Sequence, residues 1–181
     1  MTISAEGQTI DYTPFDKVKQ ITQGNKTLQI IYDHAHNKLV QDFSGTDTSI
    51  RKIYFGDLYE KVFENGKVRE VHYIRSGEGL VAVYTRDSLT GDTFRYVHTD
   101  HLGSIQCLTN ENGDMVSEFS YDAWGSRRDP DTWMLYSQYP QQIMDRGFTG
   151  HMHLDAFSLV DMSGRMYDPV LGCFLSPDPA R

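Results

Sequence analysis

The feature that most constrains this chain is a recurring unit in which an aromatic strand runs into an aspartate-containing corner. The clearest copy is Tyr-Val-His-Thr-Asp-His-Leu-Gly-Ser at residues 96–104, and a second is Tyr-Asp-Ala-Trp-Gly at residues 121–125. A strand-end aromatic ring can cover the next hairpin while the aspartate accepts hydrogen bonds from turn amides, so each unit needs a stacked neighbour. The pattern predicts a degenerate array of hairpins. The residues assigned to this structural motif are Tyr32, Asp33, Tyr96, His98, Asp100, His101, Gly103, Tyr121, Asp122, Trp124, Gly125, Tyr167 and Asp168.

Hydrophobic alternation along the chain is typical of half-buried strands. Leu28, Ile30 and Tyr32 fall on one face of an extended chain, with Gln29 on the other. Residues 93–98 alternate in the same way, and helical spacing of apolar residues is nearly absent. Short aromatic and β-branched runs separated by Gly, Asn, Asp and Ser indicate a sheet-rich domain. We therefore expect an all-β fold, an array of antiparallel hairpins with little helix.

Two Asn-Gly pairs, Asn65-Gly66 and Asn112-Gly113, lie between strand-like runs. Both residue types adopt positive φ readily, which predicts a type I′ turn between antiparallel strands at each pair. The run from Leu80 to Tyr84 has no polar alternation. It predicts a central strand that lies between covered faces or under neighbouring side chains rather than at a solvent-exposed surface.

Residues 129–146 break the strand pattern. Asp129-Pro130-Asp131 stops a strand, and Tyr139-Pro140 disfavours regular pairing. We expect a surface excursion here, with one short helical turn near residues 141–146.

The charge balance bears on the partners of this chain. A formal net charge of −8, with 17 basic residues scattered along 181, argues against a surface built to neutralise phosphates, so nucleic acid is not an expected partner. This length is typical of one domain. No apolar run approaches the roughly 18 residues of a membrane-spanning helix. Residues 1–14 lack a basic segment followed by an apolar one, so any export signal is expected outside the chain.

The two cysteines, Cys107 and Cys173, match no zinc-ligand spacing and indicate no disulfide framework. We expect both to be buried free thiols. Cys173 could alternatively act as a nucleophile beside a histidine, but its place in a strand-like apolar run favours a buried thiol.

Two clusters contain the residue types that bind metal ions. His98, Asp100 and His101 bring imidazole and carboxylate groups into one short segment, and a hydrogen-bonded corner is the competing interpretation. His151 and His153 would share a strand face, without an evident third or fourth ligand. We predict no metal and no cofactor from these patterns.

The aromatic content allows a binding module as an alternative to a purely structural role. With 11 Tyr, 9 Phe and 2 Trp, the chain could offer flat rings to the apolar faces of sugars. Cross-strand packing is the competing interpretation, because aromatic pairs on neighbouring strands stabilise a sheet. The exposure of Trp124 and Trp133 distinguishes the two interpretations.

Several of these segments, taken together, resemble the tyrosine-aspartate repeat proteins of the bacterial Rhs family. Residues 96–104 and 121–125 resemble the repeat itself. Arg-Gly-Phe-Thr-Gly-His at 146–151, Gly-Arg-Met-Tyr-Asp-Pro at 164–169 and Gly-Cys-Phe-Leu-Ser-Pro-Asp-Pro at 172–179 resemble its repeat-associated core segment. The resemblance covers roughly residues 54–179.

On this resemblance the chain divides into four parts. These are a weakly matched β region at 1–50, repeat hairpins at 51–128, the excursion at 129–146 and the core segment at 147–181. The resemblance implies that the hairpins form part of a spiral β-sheet shell around a C-terminal effector, often a toxin used in competition between bacteria. The implied partners are that effector region of the same polypeptide and the upstream repeats, and the implied location of the full-length protein is secreted or at the cell surface.

The resemblance also implies an intramolecular aspartyl protease in the intact parent. Asp155 and Asp178 are the candidate pair, Arg165 is the candidate supporting residue, and Asp168 is a nearby competitor for the pair. Two close carboxylates cannot both stay ionised, so one donates a proton while the other activates water. Cleavage is implied beyond Arg181, so this chain alone is not expected to act as an enzyme. Where the family usually has a basic residue after the glycine, this chain has Cys173.

Overall fold

Antiparallel strands, paired in chain order, make up nearly the whole architecture. The computed structural model describes residues 2–3, 7–77, 79–136, 139–140 and 143–177. Within them a meander of twelve strands forms one sheet in which each strand pairs with its neighbours in sequence. The strands are β1 Thr2–Ile3, β2 Thr9–Tyr12, β3 Val18–Gln23, β4 Lys26–Tyr32, β5 Lys38–Ser44, β6 Ser49–Phe55, β7 Tyr59–Glu64, β8 Lys67–Ser76, β9 Gly79–Asp87, β10 Gly91–Thr99, β11 Ile105–Thr109 and β12 Met115–Glu118.

Two smaller antiparallel sheets follow the large one. The first pairs β13 (Ser120–Tyr121) with β14 (Arg127–Arg128). The second has four strands in chain order, β15 Met152–Leu154, β16 Leu159–Met162, β17 Arg165–Asp168 and β18 Cys173–Phe174. The only helical elements among the described residues are two 3-10 turns, Phe148–Gly150 and Asp155–Phe157, and neither has the length or the apolar character to span a bilayer. The expected all-β fold is confirmed.

The aspartate corners have one shared hydrogen-bond geometry. At Asp100 the carboxylate Oδ1 accepts from the amides of Leu102 at 2.9 Å and Ser104 at 2.8 Å. Its main-chain N–H donates to the Ser104 carbonyl, and its carbonyl accepts from the Gly103 amide. The same four bonds recur at the corners that begin at Asp33, Asn110 and Asp122. The prediction that an acidic side chain caps the turn amides is confirmed, and Asn110 is a further member of the motif.

The fourth residue of each corner has a left-handed backbone, which explains why glycine is frequent there. Its φ is 84° at Gly103, 88° at Gly113 and 95° at Gly125, and His36 takes 62° at the same position. An L side chain at such a φ costs roughly 1–2 kcal/mol. Tyr167-Asp168 uses a different turn, because Asp168 Oδ1 accepts from the amides of the second and third residues after it.

The two Asn-Gly turns differ. Asn65 and Gly66 have φ of 49° and 79°, so the predicted type I′ turn is confirmed there. At Asn112-Gly113 the prediction is wrong, since only Gly113 has positive φ. The side chain of Asn110 accepts two amides of this loop and imposes the corner geometry instead.

Strand β9 is central in the sheet, as predicted, because it pairs with β8 on one side and β10 on the other. The expectation that this strand is covered holds at its middle, because the adjacent residues Ala82 and Val83 point to opposite faces and are each 2% exposed. Val81, which lies at a register irregularity between β8 and β9, is 37% exposed.

The C-terminal segment, residues 119–175, packs against one face of the large sheet, which is called the covered face below. It forms two apolar clusters with that face. The first cluster joins strands β2–β4 to the four-stranded sheet through Ile10, Val18, Ile21, Leu28, Ile30, Leu154, Phe157, Leu159 and Met166. The second joins strands β8–β11 to residues 119–144 through Val71, Tyr73, Val83, Val97, Ile105, Leu108, Phe119, Tyr121 and Met144. Both ends of the large sheet are thereby tied to one later segment.

The prediction of a surface excursion at residues 129–146 holds only for the first part of that segment. Trp133 and Met134 are 66% and 70% exposed, but Met144 is 4% exposed and belongs to the second cluster. The end of the segment enters the core because it supplies apolar cover for β8–β11. Residues 143–146 are not helical, and residues 141–142 of the expected helical turn lie outside the described residues.

The matched glycines of two corners give a direct test of this packing. A Cβ added at Gly125 would lie 2.5 Å from Cδ1 of the Phe148 ring, whereas nothing lies within 4 Å of one added at Gly103. Gly103→Ala should therefore lower the free energy of unfolding by the backbone strain alone, about 1 kcal/mol. Gly125→Ala should lower it by about 1–3 kcal/mol more, because Phe148 must move. Equal losses for the two variants in chemical denaturation would contradict the packing described.

Candidate functional site

A band of polar side chains lies between the two apolar clusters. It forms where the middle strands of the large sheet meet the C-terminal segment. Lys52 of β6 is 8% exposed and makes an ion pair with Asp145. Lys38 of β5 makes an ion pair with Asp161 of β16. The middle of the covered face is therefore joined to the C-terminal segment by charge rather than by apolar packing.

Burial and pairing set the ionisation of this band. Burial alone would lower the pKa of Lys52, but attraction to Asp145 and Glu60 holds that pKa above its ordinary value. Burial alone would raise the pKa of Asp145, but Lys52 and the more distant Arg127 hold it below its ordinary value. Burial is the main cause that raises the pKa of Glu60 above its ordinary value. The Glu60 carboxyl also accepts a hydrogen bond from Tyr73 Oη at 3.1 Å.

Asp155 lies at the end of this band and has different electrostatics from Asp145. It follows β15 directly and begins the 3-10 turn Asp155–Phe157. Its Oδ1 is 3.2 Å from Nε of Arg127 and 3.9 Å from Nδ1 of His153. Burial raises the pKa of Asp155 to about 6; Arg127 opposes this shift and Asp145 adds to it. A carboxyl of this pKa exchanges protons readily near neutrality, as a general acid or base must.

The carboxyl groups of Asp155 and Asp145 line a cleft of about 820 Å³ between the large sheet and the C-terminal segment. The sheet contributes mainly charged and polar side chains, and the C-terminal segment contributes an aromatic and apolar wall. The lining residues from the sheet are Gln23, Lys26, Ile50, Lys52, Val62, Glu64 and Arg69, and those of the wall include Leu135, Tyr136, Tyr139, Pro140, Pro169 and Val170. The cleft is large enough for several residues of an extended peptide.

His153 and Tyr121 pack closely around Gly147 beside this site. The Tyr121 and His153 rings are 5.6 Å apart, and a Cβ added at Gly147 would lie 2.7 Å from Tyr121 Oη and 2.8 Å from the His153 ring. The amide of Phe148 donates to Nε2 of His153 at 3.0 Å. Any side chain at position 147 would displace the imidazole.

The other residues of the predicted protease site are placed as follows. Asp178 lies outside the described residues. The guanidinium of Arg165 lies 3.9 Å from the centre of the Phe174 ring. Asp168, the competitor for the pair, is 2% exposed and its Oδ1 accepts from the amides of Val170 and Leu171. The structure thus brings Arg127 and His153 to Asp155, and it gives Asp168 a turn-capping role.

The candidate metal-ligating clusters contain side chains with other partners. Nε2 of His98 is 2.9 Å from Thr109 Oγ1, and Asp100 caps its corner. His153 is buried at Asp155, while His151 is half-buried and lines a separate pocket that also contains Lys38. Within the described residues no group of three or more His, Cys, Asp or Glu side chains is arranged to hold a metal ion.

The cysteine prediction requires a correction. Cys107 is half-buried, but Cys173 is exposed. Cys173 belongs to the two-residue strand β18, which among the described strands pairs with β17 alone, at the edge of the small sheet. An edge strand of this length has little to cover it, so the apolar run around Cys173 did not lead to burial.

The two tryptophans are exposed, Trp124 by 61% and Trp133 by 66%. The guanidinium of Arg128 lies 4.3 Å from the centre of the Trp133 ring, and Trp124 packs over the backbone of Gly172. Each tryptophan therefore has protein against part of its surface.

Arg127, Lys52 and Asp145 were not among the predicted site residues, and His153 was considered only as a metal ligand. A usable signal existed for one of them, because Lys52 lies two residues from both Ile50 and Tyr54 and so shares their inward face of the strand. Arg127 follows the corner at Asp122 as the first arginine of Ser-Arg-Arg, but nothing local distinguishes it from Arg128.

Comparisons with known proteins agree with this architecture. The teneurin YD-shell family model matches residues 90–180, half of the chain. The tRNA3(Ser)-specific nuclease WapA of Bacillus spizizenii is 26% identical over 154 residues, which are 82% of this chain and 6% of that protein. The double-stranded DNA deaminase toxin A of Burkholderia cenocepacia is 28% identical over 102 residues, 56% of this chain and 7% of that protein. This chain therefore spans only a small fraction of the curated relatives that it matches.

Solved structures show the same fold. The crystal structure of TcdB2-TccC3-Cdc42 superposes with a TM-score of 0.77 and 17% identity, over 96% of this chain and 9% of that chain. The crystal structure of TcdB2-TccC3 gives a TM-score of 0.76, with 16% identity over 95% of this chain. The match of the family model over half the chain, the capped corners and this shared fold show that the chain belongs to the teneurin YD-shell family, the tyrosine-aspartate repeat shells that its motifs resemble.

Proposed function

We propose that this chain is a closing part of a β-shell that encloses a C-terminal effector region of the same polypeptide, a toxin delivered outside the cell in competition between bacteria. One observation carries the proposal. The C-terminal segment packs against β2–β4 in one cluster and against β8–β11 in the other, so it joins distant strands of the sheet into one wall. The names of its relatives, a tRNA-specific nuclease and a DNA deaminase toxin, support an effector of this kind.

The apolar contact at Phe157 is the part of this closure that is easiest to weaken selectively. Phe157 is 1% exposed, lies in the first cluster and meets the ring of Phe43 at 6.1 Å between centroids. Truncation of Phe157 to alanine removes packing between the C-terminal segment and the early strands. For a buried phenylalanine this lowers the free energy of unfolding by about 3–5 kcal/mol.

The test uses the full-length protein that contains this segment. Its effector region should resist added protease while the shell is intact, and Phe157→Ala should increase the rate of digestion at least several-fold. Leu89→Ala, at a hairpin tip where Leu89 is 68% exposed, is the matched control and should digest like the wild type. An effector region that is digested as fast within the intact protein as when expressed alone would overturn the proposal.

A second candidate function, an aspartyl protease that acts on its own polypeptide, is favoured by the position and electrostatics of Asp155. This carboxyl lines the cleft and has a pKa of about 6. With Asp178 as its partner, one carboxylate takes a proton from water, which attacks the peptide carbonyl, and the other carboxyl donates its proton to the leaving nitrogen. Arg165 is the proposed support of the pair.

The protease proposal is tested by extending the chain beyond Arg181 with its natural sequence. The extension should be cut in the wild type and left intact in Asp155→Asn and in Asp178→Asn, as followed by mass spectrometry. Asp168→Asn should still be cut, because that carboxylate caps a turn. Loss of cleavage in Asp168→Asn together with normal cleavage in Asp155→Asn would assign the pair differently.

The two acidic groups of the cleft should also have opposite effects on stability. The folded-state pKa of Asp155 is about 6, above the value of 3.8 for an unperturbed aspartate, so the folded state binds the extra proton between these values. The free energy of unfolding therefore falls as pH rises from about 4 to about 6, and Asp155→Asn should be more stable than the wild type at pH 7. The gain should vanish near pH 3.5.

Asp145 should change the free energy of unfolding with pH in the opposite direction. Its pKa is lowered in the folded state, so its ionised form stabilises the protein at neutral pH and that contribution is lost as the pH falls through the lowered pKa. Asp145→Asn should be less stable than the wild type at pH 7, because Lys52 is left buried without its partner. Urea denaturation at pH 7 and pH 3.5 measures both variants. A loss of stability in Asp155→Asn at pH 7 would contradict the electrostatics described.

A further inference from the structure

Asp155 is held from one side by two buried side chains that the family motifs do not include. Arg127 and His153 both face Oδ1, at 3.2 Å and 3.9 Å. Only 2% of the Arg127 side chain and 4% of the His153 side chain are exposed. Burying the Arg127 cation costs free energy unless the charge is paired and hydrogen-bonded, so its contacts must offset that cost.

The guanidinium of Arg127 is fixed in place by three groups. Its Nη2 donates to the main-chain carbonyl of Asp145 at 3.0 Å. The centres of the Phe119 and Tyr121 rings lie 5.6 Å and 5.9 Å from it. Nε and Nη1 have no hydrogen-bond partner among the described residues, so attraction to Asp155 is the main compensation for burying this end of the cation.

The tautomer of His153 follows from its surroundings. The Phe148 amide donates to Nε2, and a nitrogen that accepts a hydrogen bond carries no proton. Burial, followed by the nearby charge of Arg127, lowers the pKa of His153 well below its ordinary value, so the ring is neutral at pH 7. Its one proton is therefore on Nδ1, the nitrogen that faces Oδ1 of Asp155.

We propose that Arg127 and His153 are positioning residues for Asp155, which hold its Oδ1 against the protein and leave Oδ2 for a peptide substrate in the cleft. This inference rests on the proposed protease function of Asp155. It assigns the orienting cation to Arg127, which comes from the corner that begins at Asp122, in addition to the arginine that the family motif supplies.

The groups that face Asp155 determine what a substitution at Arg127 does. Arg127 and Lys52 favour the ionised carboxylate, whereas burial and Asp145 disfavour it. An opposite charge within about 4–6 Å typically lowers a carboxyl pKa by about 1–3. Arg127→Gln should therefore move the titration of Asp155 to higher pH by about one pH unit or more. His153, being neutral, does not change this direction.

The experiment is a titration of the side-chain carboxyl carbons by ¹³C NMR on this 181-residue chain. The Asp155 resonance is assigned by its loss in Asp155→Asn. We expect a midpoint near pH 6 in the wild type, a higher midpoint in Arg127→Gln and a midpoint near that of the wild type in Arg127→Lys. Arg128→Gln is the matched control and should leave the midpoint unchanged, because Arg128 donates to Ser120 and packs on Trp133.

Three outcomes would overturn the inference. The first is an unchanged Asp155 midpoint in a folded Arg127→Gln protein, and the second is an equal shift in Arg128→Gln. The third needs no substitution. Long-range ¹H–¹⁵N correlation spectra of the wild type should show His153 protonated on Nδ1 at pH 7, and a proton on Nε2 would refute the arrangement even if Arg127→Gln does not fold.

Cleavage of the extended chain separates this inference from the function on which it rests. If cleavage occurs, its rate should be measured as a function of pH. The limb of that profile that reports Asp155 should lie at higher pH in Arg127→Gln and return to the wild-type position in Arg127→Lys. If the extended wild type is not cut while the NMR midpoints behave as expected, the protease proposal fails and the electrostatic hold on Asp155 stands. A pH profile that is identical in wild type and Arg127→Gln would refute the positioning role.

Discussion

The structure depends on the ion pair between Lys52 and Asp145, where the middle of the large sheet meets the C-terminal segment. Apolar clusters lie on both sides of this contact, and apolar contacts are non-directional. The charge pair favours one alignment, because displacement of the segment would leave Lys52 buried without its partner. Such a pair adds little net stability over apolar side chains of the same volume. Its contribution here is the alignment of the C-terminal segment, and hence of Asp155, on the sheet.

The aspartate corners could be predicted from sequence because every bond in them is local. A carboxylate that accepts hydrogen bonds from the amides of the second and fourth residues after it requires no contact with the rest of the chain. Local hydrogen bonding also explains why the type I′ turn predicted at Asn112-Gly113 is wrong, since the side chain of Asn110 supplies a capping oxygen there. The pairing of Lys52 with Asp145 and of Arg127 with Asp155 could not be predicted in this way. Alternation identifies which face a side chain occupies, but it does not identify its partner on a distant segment.

Asp155 and Asp145 line the same cleft but have pKa shifts of opposite direction. Asp145 has a cation within contact distance and a lowered pKa, so its charge is favourable in the fold. Asp155 has a fixed cation as well, yet burial outweighs that attraction and raises its pKa. Burial at position 155 therefore favours an uncharged side chain over a carboxylate. A carboxyl with a shifted pKa that lines a cleft is the pattern from which a functional group is proposed.

One repeat corner also belongs to the site. Gly125 is the left-handed residue of the corner that begins at Asp122, and its missing side chain makes room for the ring of Phe148. The amide of Phe148 then sets the tautomer of His153, whose Nδ1 faces Asp155. The same corner leads into β14, which carries Arg127. This local turn therefore helps to fix both side chains that face the carboxyl. The repeat fold and the candidate site are thus parts of one arrangement, because the geometry of a repeat corner positions the residues on which the site depends.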